Sequence, residues 1–102
     1  MKIALAYDKE TNGFSPSFIR TGHFKFYEIE NRQIGSSEMI GTMKCDPEQL
    51  VGMLLMFETD VLLCRRLDEA SAQLLQEEGI DYYTGLTGEA DLAVEQYLSG
   101  NI

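Results

Sequence analysis

Hydrophobic and polar positions alternate at the start of the chain. In "KIALAYD", Ile3, Leu5 and Tyr7 fall on one side, which predicts a strand ending at Asp8. "KETNG" then supplies turn chemistry and opens a long loop from Lys9 to Phe18. The next segment, "HFKFYEIENRQIGSSEMIGTM", holds two runs rich in β-formers on either side of Glu30, Asn31 and Arg32, the pattern of an antiparallel hairpin. The first half therefore reads as a three-strand meander.

From Cys45 onward the period changes from two to that of a helix. Asp46 followed by Pro47 is an N-cap with proline in the first turn, and Leu50, Met53, Leu54 and Phe57 recur at helical spacing, predicting a helix to about Glu58. "DVLLC" is a short, wholly apolar strand. Asp68 can cap a second helix, in which Ala70, Ser71, Leu74 and Leu75 share a face and which Gly79 ends. "IDYYTGL" is a further strand. "TGEADLAVEQYLSG" is a last helix with Ala90, Val94, Tyr97 and Leu98 inward and Gly100 as its stop. The element order is thus βββαβαβα, which predicts one α/β domain over residues 1–102: a five-stranded mixed sheet, its last strands parallel, with helices covering it. In open sheets of this kind ligands sit at the carboxyl ends of strands. That rule selects the loop after the first strand, the Gly41–Cys45 junction and the Cys64–Asp68 junction.

Composition agrees with one folded domain: 44% of the 102 residues are hydrophobic and 25% charged, without low-complexity tracts. The longest apolar run, Val51 to Phe57, is far short of the roughly 20 residues of a membrane span, and acid enters at Asp8 before any signal-peptide core is complete. A cytoplasmic location is expected, with no membrane association. Charge is unevenly spread. Residues 1–44 carry six Lys/Arg and five Asp/Glu, whereas residues 45–102 carry two and twelve, for a net −9. Such a chain is repelled by a phosphate backbone, so nucleic acid is not an expected partner.

Two cysteines, Cys45 and Cys64, cannot build a disulfide framework, and neither lies in a C-x-x-C pair. Both have the plain reading of small buried residues. The stretch "VLLCRRLDEASAQLL" carries two readings. In one, Cys64 packs in the sheet, Arg65 and Arg66 are solvated or pair with acids, and Asp68 caps a helix. In the other, Cys64 and an arginine line a strand-end pocket. No P-loop, G-x-S-x-G, H-E-x-x-H or G-x-G-x-x-G run is present, which makes an enzyme the weakest class. Asp8 ends the first strand as a lone acid, and two-metal nuclease chemistry needs several convergent carboxylates. Met43, two residues before Cys45, is the one methionine that invites a soft-metal role.

The element order, "MKIALAYD", "FSPSFIRTGHFKFYEIEN", "DVLLCRR" and above all the ending "GIDYYTGLTGEADLAVEQYLSGNI" resemble the dinitrogenase iron-molybdenum cofactor biosynthesis family, the group of NifX-like and NifB C-terminal domains. The resemblance covers nearly the whole chain. It implies a three-layer ribonuclease-H-like α/β/α fold and a protein that binds or carries an anionic iron-sulfur or iron-molybdenum cluster precursor without catalysis of its own. A metal cofactor donor or acceptor protein would be the partner, and the oligomeric state is left open.

The family's loop resembles S-x-H-F-G-R-A. Ser15, Phe18 and Arg20 match it, while Ser17 stands at the histidine position and Ile19 at the glycine position. A serine hydroxyl is a poor metal ligand beside imidazole, and His23, six residues downstream, is the only histidine that could replace it. The family's C-G-G-I-G-P-G-A-like run is replaced by Cys64, Arg65, Arg66, Leu67, Asp68, Glu69, Ala70 and Ser71. Guanidinium forks would there take the place of backbone N–H groups toward an anion. The resemblance thus implies a cofactor-binding set of Ser17, Arg20, His23, Cys45, Cys64 and Arg65, with Cys45 and Cys64 as metal ligands. The competing expectation is a protein-interaction or regulatory module that kept the fold and lost the cluster.

Overall fold

The structure is a computed structural model that describes residues 1–43 and 46–102. The chain runs β1 (Lys2–Asp8), β2 (Gly13–Phe14), β3 (His23–Glu30), β4 (Gln33–Gly41), α1 (Pro47–Met56), β5 (Val61–Leu63), α2 (Glu69–Glu77), β6 (Asp81–Tyr83) and α3 (Ala90–Leu98). The strands form one mixed sheet in the order β4-β3-β1-β5-β6, with β2 paired antiparallel to the end of β1. The α/β architecture expected from the sequence is present. The one added element is β2, a two-residue strand inside the segment read as loop.

β1 lies at the centre, antiparallel to β3 and parallel to β5. Its alternation therefore serves two cores. Ala4 and Ala6, with Phe24, Phe26, Leu62 and Cys64, face α1 and α2, while Ile3, Leu5 and Tyr7, with Tyr27, Val61 and Leu63, face α3. Strands buried on both faces carry no polar alternation, which is why β5 reads as a plain apolar run. Each fully buried aliphatic side chain contributes about 1.5–3 kcal/mol, so Leu5, Leu50, Leu54, Leu62, Leu63 and Leu75, all without exposed surface, contribute heavily to cohesion beside the buried rings of Phe18, Phe24, Phe26 and Tyr27.

The turn from β3 to β4 passes through Asn31 (φ 53°) and Arg32 (φ 60°), the two left-handed residues of a type I′ hairpin turn. Asp46 caps α1 by accepting from the Glu48 N–H at 2.8 Å, and Asp68 caps α2 by accepting from the Ser71 N–H at 3.0 Å and its hydroxyl at 2.9 Å. Both caps lie where the sequence places them. The helices differ in detail. α1 ends at Met56 and buries Val51 beside Leu50 and Leu54, with Met53 and Phe57 only partly covered. In α2, Ser71 and Leu75 are buried while Ala70 is exposed.

Candidate functional site

Because β1 meets an antiparallel neighbour on one side and a parallel one on the other, the chain direction switches at its carboxyl end. Tyr7 pairs with His23, and His23 pairs with Gly41, so the start of β3 and the end of β4 reach the same rim as the ends of β5 and β6. Ligands of open α/β sheets collect at such a point.

Backbone and hydroxyl contacts fix the loops there. The Ser15 N–H donates to the Ala6 carbonyl (2.9 Å) and the Phe18 N–H to that of Arg66 (2.9 Å), which ties the loop after β2 to the segment after β5. Thr21, buried, donates its hydroxyl to the His23 carbonyl at 2.6 Å, and Thr42 donates its own to the Thr21 carbonyl at 2.9 Å. Phe18 has no exposed surface and its ring lies 5.7 Å from that of Phe24, anchoring the loop in the core.

Two adjoining hollows open on this rim. One, of about 320 Å³, is lined by the turn after β1, including Asp8, Lys9 and Glu10, and by Ser15, Arg20 and His23. The other, of about 480 Å³, runs from Arg20 and His23 across Gly41 to Met43. Arg20, Gly22 and His23 belong to both. Arg20, Lys9, Arg65 and Arg66 are exposed at this end, and none of them makes an ion pair among the described residues. By contrast, Lys25 is held by Asp91 at 3.0 Å, and Lys2 sits 3.9 Å from Glu28.

Of the residues selected from sequence, Arg20 and His23 come together. Ser17 is half-buried, and its carbonyl accepts from the Ser15 hydroxyl at 3.2 Å. Neither Arg65 nor Arg66 lines either hollow: the Arg66 carbonyl holds Phe18, at the root of the loop that carries Arg20, and that of Arg65 accepts from the Gly85 N–H at 2.8 Å. Cys64 has no exposed surface, and its thiol points to the Tyr83 carbonyl at 3.8 Å. Burial, and secondarily the charge of Asp68, push that thiol up to about 12. Cys45 lies outside the described residues, and with it the separation of the two sulfurs.

Lys9 was not selected from sequence. Its position directly after the strand-ending Asp8 was the available signal. Also unselected was the cluster over β1 and β3 on the α3 side, where Tyr27 donates to Asp91 at 2.7 Å and Lys25 lies 5.3 Å from the ring centres of both Tyr7 and Tyr27. The hydrogen bond from Tyr27, joined by Lys25, holds the Asp91 carboxyl below its ordinary range against the opposing effect of burial. The Tyr7 hydroxyl donates to Asn12, and the Ala90 N–H to the Asn12 carbonyl (3.0 Å), so the same cluster binds the first loop to the start of α3.

The family model described as "Dinitrogenase iron-molybdenum cofactor" matches residues 1–100. The chain belongs to this family. Solved structures share the fold at low identity. PH0822 superposes with a TM-score of 0.89 at 20% identity, covering 98% of this chain and 92% of that one. MJ0327 from Methanocaldococcus jannaschii, a proposed dinitrogenase, gives 0.80 at 19% identity, covering 99% and 90%. TM1290 from Thermotoga, a proposed NifB protein of the DUF35 family, gives 0.79 at 20%, covering 98% and 89%. No curated protein matches the chain at a significant level. No helix among the described residues is long and apolar enough to cross a membrane.

Among the described residues no three His, Cys, Asp or Glu side chains converge as metal ligands. What is gathered is two cationic side chains, Arg20 and Lys9, beside one imidazole and two carboxylates, Asp8 and Glu10, with no ion pair joining them among the described residues. A cluster that brings its own sulfides and net negative charge needs few protein ligands, and guanidinium and ammonium groups can hold it through charge-assisted hydrogen bonds.

Proposed function

We propose that this protein is a non-catalytic carrier that binds an anionic iron-sulfur or iron-molybdenum cofactor precursor at the carboxyl end of β1 and passes it between donor and acceptor proteins. The observation that carries the reading is the meeting of Arg20, Lys9 and His23 on one rim of a chain of net charge −9, where neither cation makes an ion pair among the described residues although Asp8 and Glu10 line the same hollow. Arg20 supplies a planar fork for the anion, Lys9 a second positive charge, and His23 the one accessible imidazole that can ligate iron. Cys64, in the core between the sheet and α1 and α2 and lining neither hollow, has no ligand role in this reading.

Anaerobic incubation of the full chain with isolated cofactor, followed by gel filtration with iron analysis and visible absorption, tests this. Iron should co-elute with the wild-type protein, and Arg20→Ala combined with His23→Ala should release it. Arg32→Ala, at the far end of the sheet, should have no effect. Retention of iron by the double variant, or absence of co-elution from the folded wild type, would refute the reading. The competing module without a cluster predicts that second result together with an intact partner complex.

A further inference from the structure

The outer surface of the α1–α2 layer has a different chemistry from the strand-end rim. On α1, Glu48, Gly52, Leu55 and Met56 follow one another at i, i+4, i+7 and i+8, and so form one stripe. The stripe faces away from the core: Leu55 is 42% exposed and Met56 76%. Gly52 sits mid-helix, where glycine costs about 1 kcal/mol relative to alanine. A Cβ there would meet nothing within 4 Å. The fold itself gives no reason for that glycine, whereas a second backbone approaching the helix closely would. Beside the stripe, and joined to it through Glu48, a groove of about 390 Å³ runs between the helices over Pro47, Ala70 and Leu74.

The charge around this apolar centre is of one sign. Neither α1 nor α2 contains a lysine or arginine, and Asp46, Glu48 and Glu77 line the groove. These carboxylates make no ion pair among the described residues. No three of them converge to hold a metal ion. Spaced, uncompensated carboxylates around an apolar strip match spaced cations around an apolar stripe. A second copy of this chain meeting this face with the same face would bring a like acidic rim, so a symmetric pair is the wrong occupant.

We propose that the α1–α2 face docks a basic amphipathic helix of a partner protein, its small or apolar side chains against Gly52, Leu55 and Met56 and its lysines or arginines beside Glu48 and Glu77. A rigid helix face presenting i, i+4 and i+7 anchors is a common recognition mode, and exposed methionine suits an adaptable contact. The proposal is independent of the strand-end reading, since the groove shares no residue with the rim.

The test uses the full chain and three labelled synthetic peptides: an amphipathic Leu/Ala/Lys helix, a scrambled peptide of the same composition, and a Glu-for-Lys counterpart, read by fluorescence anisotropy. The amphipathic Lys peptide should bind, and the other two should bind at least about tenfold more weakly. Glu48→Lys with Glu77→Lys should weaken binding about tenfold or more, as should Gly52→Leu, which fills the stripe. Glu89→Lys with Glu95→Lys, an equal change of net charge on α3, should leave most of the affinity. Equal binding of the scrambled peptide, equal loss in the α3 control, or no binding to the folded wild type would each overturn the proposal. So would a concentration-dependent dimer in sedimentation that Gly52→Leu abolishes, because the face would then belong to a second copy.

Discussion

Cys64 separates a core thiol from a metal-ligating one, and its reactivity can be worked out from its surroundings. An ordinary cysteine, with a pKa near 8.5, is about one quarter thiolate at pH 8. Pushed up to about 12 by burial and the Asp68 charge, Cys64 is thiolate about one part in ten thousand. Since the thiolate is the nucleophile, the smaller thiolate fraction slows alkylation, and although the more basic thiolate is intrinsically more reactive, the net rate in the native state should fall by on the order of 50- to 100-fold before any loss of access is counted. The assay is reaction with a thiol reagent at pH 8 in a Cys45→Ser background, so that only Cys64 reports, with the same sample in urea as reference. Labelling should be fast in urea and nearly absent in buffer. Asp68→Asn, which keeps a capping oxygen but removes the second cause of the shift, should raise the native rate several-fold while leaving it far below the unfolded one. Native labelling at the rate of a free thiol would refute the argument and return Cys64 to the list of ligands.

Three further outcomes are expected. Gly13→Ala places a Cβ 2.5 Å from the Gly88 carbonyl oxygen, a backbone atom that cannot swing away; urea unfolding should show a loss of about 1–3 kcal/mol, and an unchanged midpoint would mean that the β2–α3 junction is looser than described. Gly52→Ala, in open space on a helix, should raise stability by about 0.5–1 kcal/mol in the same assay. The Asp91 carboxyl has a lowered folded pKa, caused first by the Tyr27 hydrogen bond and then by Lys25. Its contribution is therefore present above the ordinary aspartate value near 4 and lost as pH falls below it. Asp91→Asn should be weaker than wild type at pH 7, and the gap between their urea midpoints should close toward pH 3; a gap that is constant with pH would exclude this linkage.

The fold was legible wherever local chemistry agreed with tertiary demand. Asp46 before Pro47 and Asp68 before an acidic first turn announce helix starts that the hydrogen bonds to Glu48 and Ser71 bear out. Glu30, Asn31 and Arg32 mark the hairpin apex because asparagine tolerates the left-handed region, although arginine there gave no such sign. β2 was not legible. Gly13 and Phe14 form a strand only because Tyr7 and Asp8 offer them partners, which is a long-range fact. The direction of Cys64 was hidden for another reason. Val61, Leu62 and Leu63 are all buried, so no polar residue marks which face each belongs to, and only the pairing of Leu63 with Leu5 and Tyr83 decides that Cys64 turns toward α1 and α2. The meeting of Arg20 with His23 likewise depends on Thr21 and Thr42 hydroxyls folding the loop back, contacts that residue spacing does not encode.

The uneven charge of the chain acquires a spatial meaning in the fold. The half with twelve acids and two arginines builds α1, α2, α3 and the two parallel strands flanking β1 on one side, so its surface is anionic nearly throughout. Its only cations, Arg65 and Arg66, lie at the carboxyl end of β5, on the same rim as Arg20 and Lys9 from the other half. At the topological switch point these four cations stand beside Asp8 and Glu10, so this rim is the part of the surface where positive charge is most concentrated against the net −9 of the chain. Screening at physiological salt confines each exposed charge to about 8 Å, so the charges on the rim itself outweigh the distant acids in what binds there. The same partition leaves the α1–α2 face with carboxylates and exposed apolar side chains but no cations of its own. On the two proposals the surfaces take opposite charges, an anionic cargo at one and a basic partner at the other, and because the groove and the rim share no residue neither occupant would compete with the other for its place.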